Sequence, residues 1–90
     1  MYGPRATKQF RKDLRRYADD LERLLKTTAV MHKLLAGEAL PPECRPHKLK
    51  GESKDTWECH IEGDLLLVWL TEPSSETLTF IRLTHSELFG

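Results

Sequence analysis

Long hydrophobic runs are scarce in this sequence. The longest, Leu65 to Leu70, is far short of the roughly 20 residues that a helical membrane span needs. Met1-Tyr2-Gly3-Pro4 holds no secretory apolar segment, so a cytoplasmic protein with no membrane partner is expected. Cysteine is nearly absent. Cys44 and Cys59 fit neither a CxxC motif nor a disulfide framework, and a structural disulfide is not expected. Glycine and proline number five each in 90 residues, with no low-complexity tract or repeat, which argues against disorder and against a solenoid. Net charge is also lacking, with 14 Lys/Arg against 14 Asp/Glu, so overall charge names no partner.

What is present points to one domain spanning residues 1–90. A core of this size buries only about 60 to 65% of the unfolded surface, too little to divide in two. The charge is uneven along the chain. Residues 1–50 hold twelve Lys/Arg against six Asp/Glu, and residues 51–90 hold two against eight. That permits a basic helical face for a polyanion and an acidic face elsewhere.

Thr7 is a plausible N-cap for a short helix in which Phe10, Leu14 and Tyr17 recur at helical spacing. Its outer face carries Lys8, Arg11, Lys12, Arg15 and Arg16, a pattern that most often marks only a solvated surface and that also suits phosphate contacts. Asp19 or Asp20 can cap a second helix, whose stripe of Leu21, Leu24, Leu25, Thr28, Met31, Leu34 and Leu35 ends at Gly37. These two helices are expected to form a hairpin. Pro41-Pro42 then opens a loop reaching Gly51.

The second half reads as strands. From Thr56 to Glu62 the residues alternate, with Trp57, Cys59 and Ile61 on the core side and Glu58, His60 and Glu62 on the other. Gly63 turns the chain into a central strand, and Glu72 to Glu76 turns it again into Thr77 to Leu83. The expected fold is α+β: an N-terminal helical hairpin on a small twisted antiparallel sheet, with Met1 to Ala6 as a weak outer strand because Gly3 and Pro4 confine it to an edge.

Three histidines fall at informative places, His47 in the loop, His60 on the polar strand side and His85 after the last strand, whereas His32 belongs to a helix surface. Only imidazole both takes and gives a proton near neutrality, as cleavage of a phosphodiester by its neighbouring 2′-hydroxyl requires. Arg82 supplies a guanidinium fork for phosphate oxygens. Asp64, beside Gly63, suits a turn-stabilising role as well as an orienting one. A zinc site from Cys44, His47, Cys59 and His60 is a poor donor set, because adjacent strand residues point to opposite faces. Neither a metal nor another cofactor is expected.

Three ordered stretches carry a resemblance: His47-Lys48-Leu49-Lys50-Gly51, then Glu58-Cys59-His60-Ile61-Glu62-Gly63-Asp64, then Arg82-Leu83-Thr84-His85-Ser86-Glu87-Leu88-Phe89. Together with Thr7 to Leu14 and Leu40-Pro41, they resemble YafQ toxins of the RelE/ParE superfamily. The resemblance implies a bacterial toxin that enters the ribosomal A site, cleaves mRNA as a ribosome-dependent endoribonuclease, and is held inactive by a cognate antitoxin. It implies that His47, His60, Asp64 and His85 are catalytic, that Arg82 steadies the phosphate, and that Lys48, Lys50 and Phe89 contact substrate. Here Arg82 and His85 are three positions apart, whereas the family's Arg-x-Gly-Thr/Ser-His ending places them four apart. A regular strand would then send them to opposite faces, and a bulge or turn is needed to reconcile them. Two non-enzymatic readings stay open: a ParE-like gyrase inhibitor on the same scaffold, which needs no histidine cluster, and a protein-binding module, supported by apolar Leu88-Phe89.

Overall fold

The structure is a computed structural model that describes residues 2–49 and 55–85. Lys50 and Phe89 lie outside the described residues. The elements run β1 (Gly3–Ala6), α1 (Lys8–Arg15), α2 (Leu21–Ala36), a 3-10 turn (Pro42–Cys44), β2 (His47–Lys48), β3 (Asp55–Glu62), β4 (Leu65–Glu72), a second 3-10 turn (Pro73–Ser75) and β5 (Thr77–His85). The strands form one sheet in the order β1-β5-β4-β3-β2. The outer strand expected at the N-terminus is present and runs parallel to β5, with Gly3 opposite Thr77 and Ala6 opposite Phe80. The sheet is therefore mixed, and its other pairings are antiparallel.

Local chemistry sets the helix ends. The Thr7 hydroxyl accepts the Phe10 N–H at 3.0 Å and donates to the Ile81 carbonyl at 2.8 Å, so one side chain starts α1 and ties it to β5. Asp20 caps α2 by accepting from Arg23 N–H at 3.2 Å. Gly37 ends it in the left-handed region at φ 73°, which glycine enters without steric penalty. The arms of the hairpin land on different strands, α1 on β5 and α2 on β3. Phe10, Tyr17 and Val30 bury against Leu65, Leu67, Trp69, Phe80 and Leu83, and Phe10 stacks on Phe80 with ring centroids 5.6 Å apart.

Two extra residues interrupt the ladders. On β3, His60 lies opposite Leu66 but Glu62 lies opposite Leu65, leaving Ile61 unpaired. The expected alternation therefore holds through Ile61, which packs against the core, and fails at Glu62, which lies opposite the core residue Leu65. Glu62 turns toward α2, where Arg23 and Lys26 meet it at 3.1 and 3.5 Å. On β5, Val68 faces Arg82 and Trp69 faces Phe80, so Ile81 is the extra residue.

Because β1 stops opposite Phe80, the rest of β5 leaves its outer edge to α1. Asp13, which has no exposed surface, fills that edge. Its carboxylate accepts from Arg82 Nε at 2.8 Å, Leu83 N–H at 3.0 Å and Gln9 Nε2 at 3.0 Å. Burial pushes the Asp13 carboxyl up, but these donors and the Arg82 charge outweigh it and hold it below the usual carboxylate range. A group lowered on folding contributes stability above its unfolded pKa, and that contribution is lost as pH falls through the folded value. Asp13→Ala should therefore cost about 3 kcal/mol near pH 7, by loss of a buried pair and an orphaned strand N–H. In urea denaturation, the gap between wild type and variant should narrow as pH falls below about 4, where an unperturbed Asp titrates.

Candidate active site

Residues directly opposite on neighbouring strands share a face. His47 lies opposite Glu58, Glu58 opposite Val68, and Val68 opposite Arg82. These four form one row across the sheet on the side away from the helices. The next row is His60, Leu66 and Thr84. With strands spaced about 4.8 Å apart, the Cα atoms of His60 and Arg82 are roughly 12 Å apart, within reach of one phosphate for two such side chains. The Thr84 hydroxyl is buried and has no partner among the described residues, which adds an uncommitted polar group to the row.

His47, just over half exposed, meets the largely buried Glu58 at 2.7 Å through Nε2, and its Nδ1 lies 3.4 Å from the Arg45 carbonyl. His60 Nδ1 is 3.1 Å from the Gly63 carbonyl. Asp64, the next residue, holds His85: its Oδ1 lies 2.9 Å from His85 Nδ1. Two imidazoles are thus fastened through Nδ1 to consecutive residues of the β3–β4 turn. That turn is possible because Gly63 takes φ 51°. The bond from His85 pushes the exposed Asp64 carboxyl below its ordinary value.

The structure does not put every expected residue in one place. His85 lies opposite Leu65, on the helix side, whereas Arg82 belongs to the outer face. The three-residue spacing has the predicted effect, because the Ile81 bulge precedes Arg82 and does not fall between the two. What serves them both is the helical layer: Arg82 gives Nε and Nη2 to Asp13, and the Tyr17 hydroxyl sits 3.3 Å from His85 Nε2. Lys48 lies opposite Trp57 and pairs with Asp55 at 2.9 Å, so it faces away from His47.

Glu58, Asp13 and Tyr17 are the site residues that sequence reasoning passed over. Glu58 had a signal, since it is two positions from His60 on the same side of a strand. Asp13 had a weaker one, as a lone acid among the bases of α1. Tyr17 read only as a core aromatic, and nothing local marked its hydroxyl. The four-donor metal set does not assemble either. Cys44 and Cys59 are buried thiols raised by burial, Cys59 to about 12. Among the described residues, no three His, Cys, Asp or Glu side chains are placed to hold a metal.

Comparison with known proteins finds relatives along the whole chain. Residues 2–90 match a family model described as the bacterial toxin of a type II toxin-antitoxin system, YafQ. A relative from Haemophilus influenzae that carries the YafQ toxin name is 36% identical over 87 residues, covering 90% of this chain and 85% of that one. A metal-bound toxin from Helicobacter pylori superposes with a TM-score of 0.86 at 34% identity, covering all of both chains. The YafQ chain of the Escherichia coli DinJ-YafQ complex does so at 0.84 and 26%, again over both chains in full.

The Asp64–His85 contact can be checked directly. Replacing His85 with alanine should return the Asp64 carboxyl upward toward the ordinary range, read by carboxyl carbon NMR across an acid titration. An unmoved Asp64 would mean that the contact does not form in solution.

Proposed function

The chain belongs to the YafQ family of bacterial type II toxin-antitoxin toxins, and from that membership we propose that it is a metal-independent endoribonuclease that cleaves mRNA in the ribosomal A site. The observation that carries the reading is the pair of imidazoles anchored on the Gly63-Asp64 turn. With an acceptor at Nδ1, that nitrogen carries the proton and Nε2 is the reactive one. This tautomer is assigned from the acceptors.

In the proposed reaction, His60 or His47 takes the proton of a ribose 2′-hydroxyl, and the 2′-oxygen attacks the adjacent phosphorus. The bond from phosphorus to the 5′-oxygen breaks, and His85, which enters this step as the imidazolium with Nδ1–H held by Asp64, gives that oxygen its Nε2 proton. The products are a 2′,3′-cyclic phosphate and a 5′-hydroxyl. One proton is taken and one given, so the balance closes on side chains alone. Arg82 spends Nε and Nη2 on Asp13 and keeps Nη1 for the charge that builds on phosphate. At 3.3 Å, Tyr17 holds His85 Nε2 loosely, and a closer substrate oxygen can displace it.

Escherichia coli YafQ is found in complex with DinJ. We assign this chain a cognate antitoxin as well, and the ribosome, with its RNA, as the place of action.

His60→Ala and His85→Ala should each lower cleavage about 10² to 10⁴-fold, the usual loss with a general acid or base. Primer extension on messages from expressing cells measures it. Cleavage undiminished in both variants would overturn the acid and base roles. Intact messages with damaged DNA would instead favour a gyrase poison.

A further inference from the structure

Beside His60, between α2, the Pro42–Cys44 turn and β3, lies a cavity of about 540 Å³, within the ~300 to 1,000 Å³ of small-molecule sites. It opens where β2 ends. That strand reaches only Trp57 and Glu58, so the edge of β3 from Cys59 onward has no strand beyond it among the described residues, and α2 and the loop wall the gap. Ala29, Val30, Pro41, Cys44 and Ile61 make its sides apolar.

The charged lining is not equivalent from group to group. Lys26 is held by Glu22 and Glu62 at 3.4 and 3.5 Å, and Lys33 by Glu38 at 3.7 Å. Glu62 is also engaged by Arg23. Arg45 is the lining cation with no ion-pair partner among the described residues. It leaves the 3-10 turn at φ 43°, ψ 61°, a left-handed conformation in which glycine is at ease and a side chain is strained. Its carbonyl lies 3.4 Å from His47 Nδ1, and the cavity it lines also touches His60. Arg45 thus touches His47 through its carbonyl and shares the lining of the cavity with His60.

We propose that this cavity binds one nucleobase of the RNA, with Arg45 holding the phosphate attached to that nucleotide, so that the neighbouring phosphodiester is presented to His60. The inference rests on the nuclease reading above. Apolar walls suit the two faces of a base, the Glu43 carboxylate is an acceptor for base N–H groups, and a guanidinium fork matches phosphate oxygens. Arg45 is here a binding residue, and the cavity is a determinant of sequence preference.

The test titrates each of the four nucleoside 3′-monophosphates into the full chain and follows backbone amides by NMR. At least one nucleotide should shift Val30, Arg45 and Ile61. Arg45→Gly should weaken that binding roughly tenfold or more, as expected for a lost charge-assisted bond. It should also raise the melting temperature by a few degrees, because glycine relieves the left-handed strain, and it should raise KM for RNA more than it lowers kcat. Ala29→Phe, from an exposed position on α2, should block the cavity and weaken binding without that gain in stability. No shift at these amides with any of the four nucleotides at millimolar concentration would overturn the proposal, as would unchanged affinity in both variants. Should nucleotides bind while His60→Ala and His85→Ala still cleave fully, the cavity stands and the nuclease reading falls. Should those two variants lose cleavage while no nucleotide binds, only the cavity assignment falls.

Discussion

Asp13 sits in the last turn of α1 with no exposed surface and takes hydrogen bonds from Arg82, Leu83 and Gln9. A lone carboxylate in that position would be costly, and four N–H contacts, two of them from one guanidinium, remove the cost. Three of these four contacts come from Arg82 and Leu83 on the outer edge of β5 past the end of β1, and the fourth from Gln9 on α1 itself. The helix can therefore lie in one register on the sheet, and that register puts the Tyr17 hydroxyl beside His85. Arg82 is held in place by the same contact, with part of its guanidinium committed before any substrate arrives. In the proposed reaction this same side chain faces the phosphate, so one guanidinium would serve both the fold and the substrate.

The other half of the arrangement comes from two inserted residues. Without the Ile61 bulge, Glu62 would continue the polar side of β3 and could not meet Arg23 and Lys26 on α2. That contact docks α2 against β3 and shapes the cavity next to His60. Without the Ile81 bulge, the parity of Arg82 would reverse relative to Phe80, which is anchored by Phe10. Arg82 would then leave the outer face that it shares with His47 and His60. One extra residue in a strand exchanges its faces, so these bulges decide which side chains can meet a substrate.

Much of the architecture was legible because its signals are local. Thr7, Asp20 and Gly37 mark helix ends through bonds to their own neighbours, and periodicity assigns Phe10 and Tyr17 on the first helix and Trp57, Cys59 and Ile61 on the strand to the core side. The outer strand at Gly3–Ala6 was foreseen, whereas its parallel pairing with β5 was not, since direction depends on where the intervening helices return the chain. The register shift at Ile61 had no local mark, because it exists only in the pairing of β3 with β4. In the site, the importance of His47, His60, Asp64, Arg82 and His85 was read from residue type and resemblance. Their partners Glu58, Asp13 and Tyr17 are separated from them by 11, 69 and 68 positions in the first two pairs as His47–Glu58 and Arg82–Asp13, and in the third as His85–Tyr17.

By itself, the sequence determined element types, helix limits and much of the apolar core, because propensity, capping and periodicity act over a few residues. Only the tertiary structure decided which imidazole meets which carboxylate, that Arg82 shares its guanidinium with a buried acid, and that a cavity opens where β2 ends. Those outcomes depend on strand register and helix docking, where contacts between distant residues are chosen by the burial of the whole core and cannot be settled by any short segment alone.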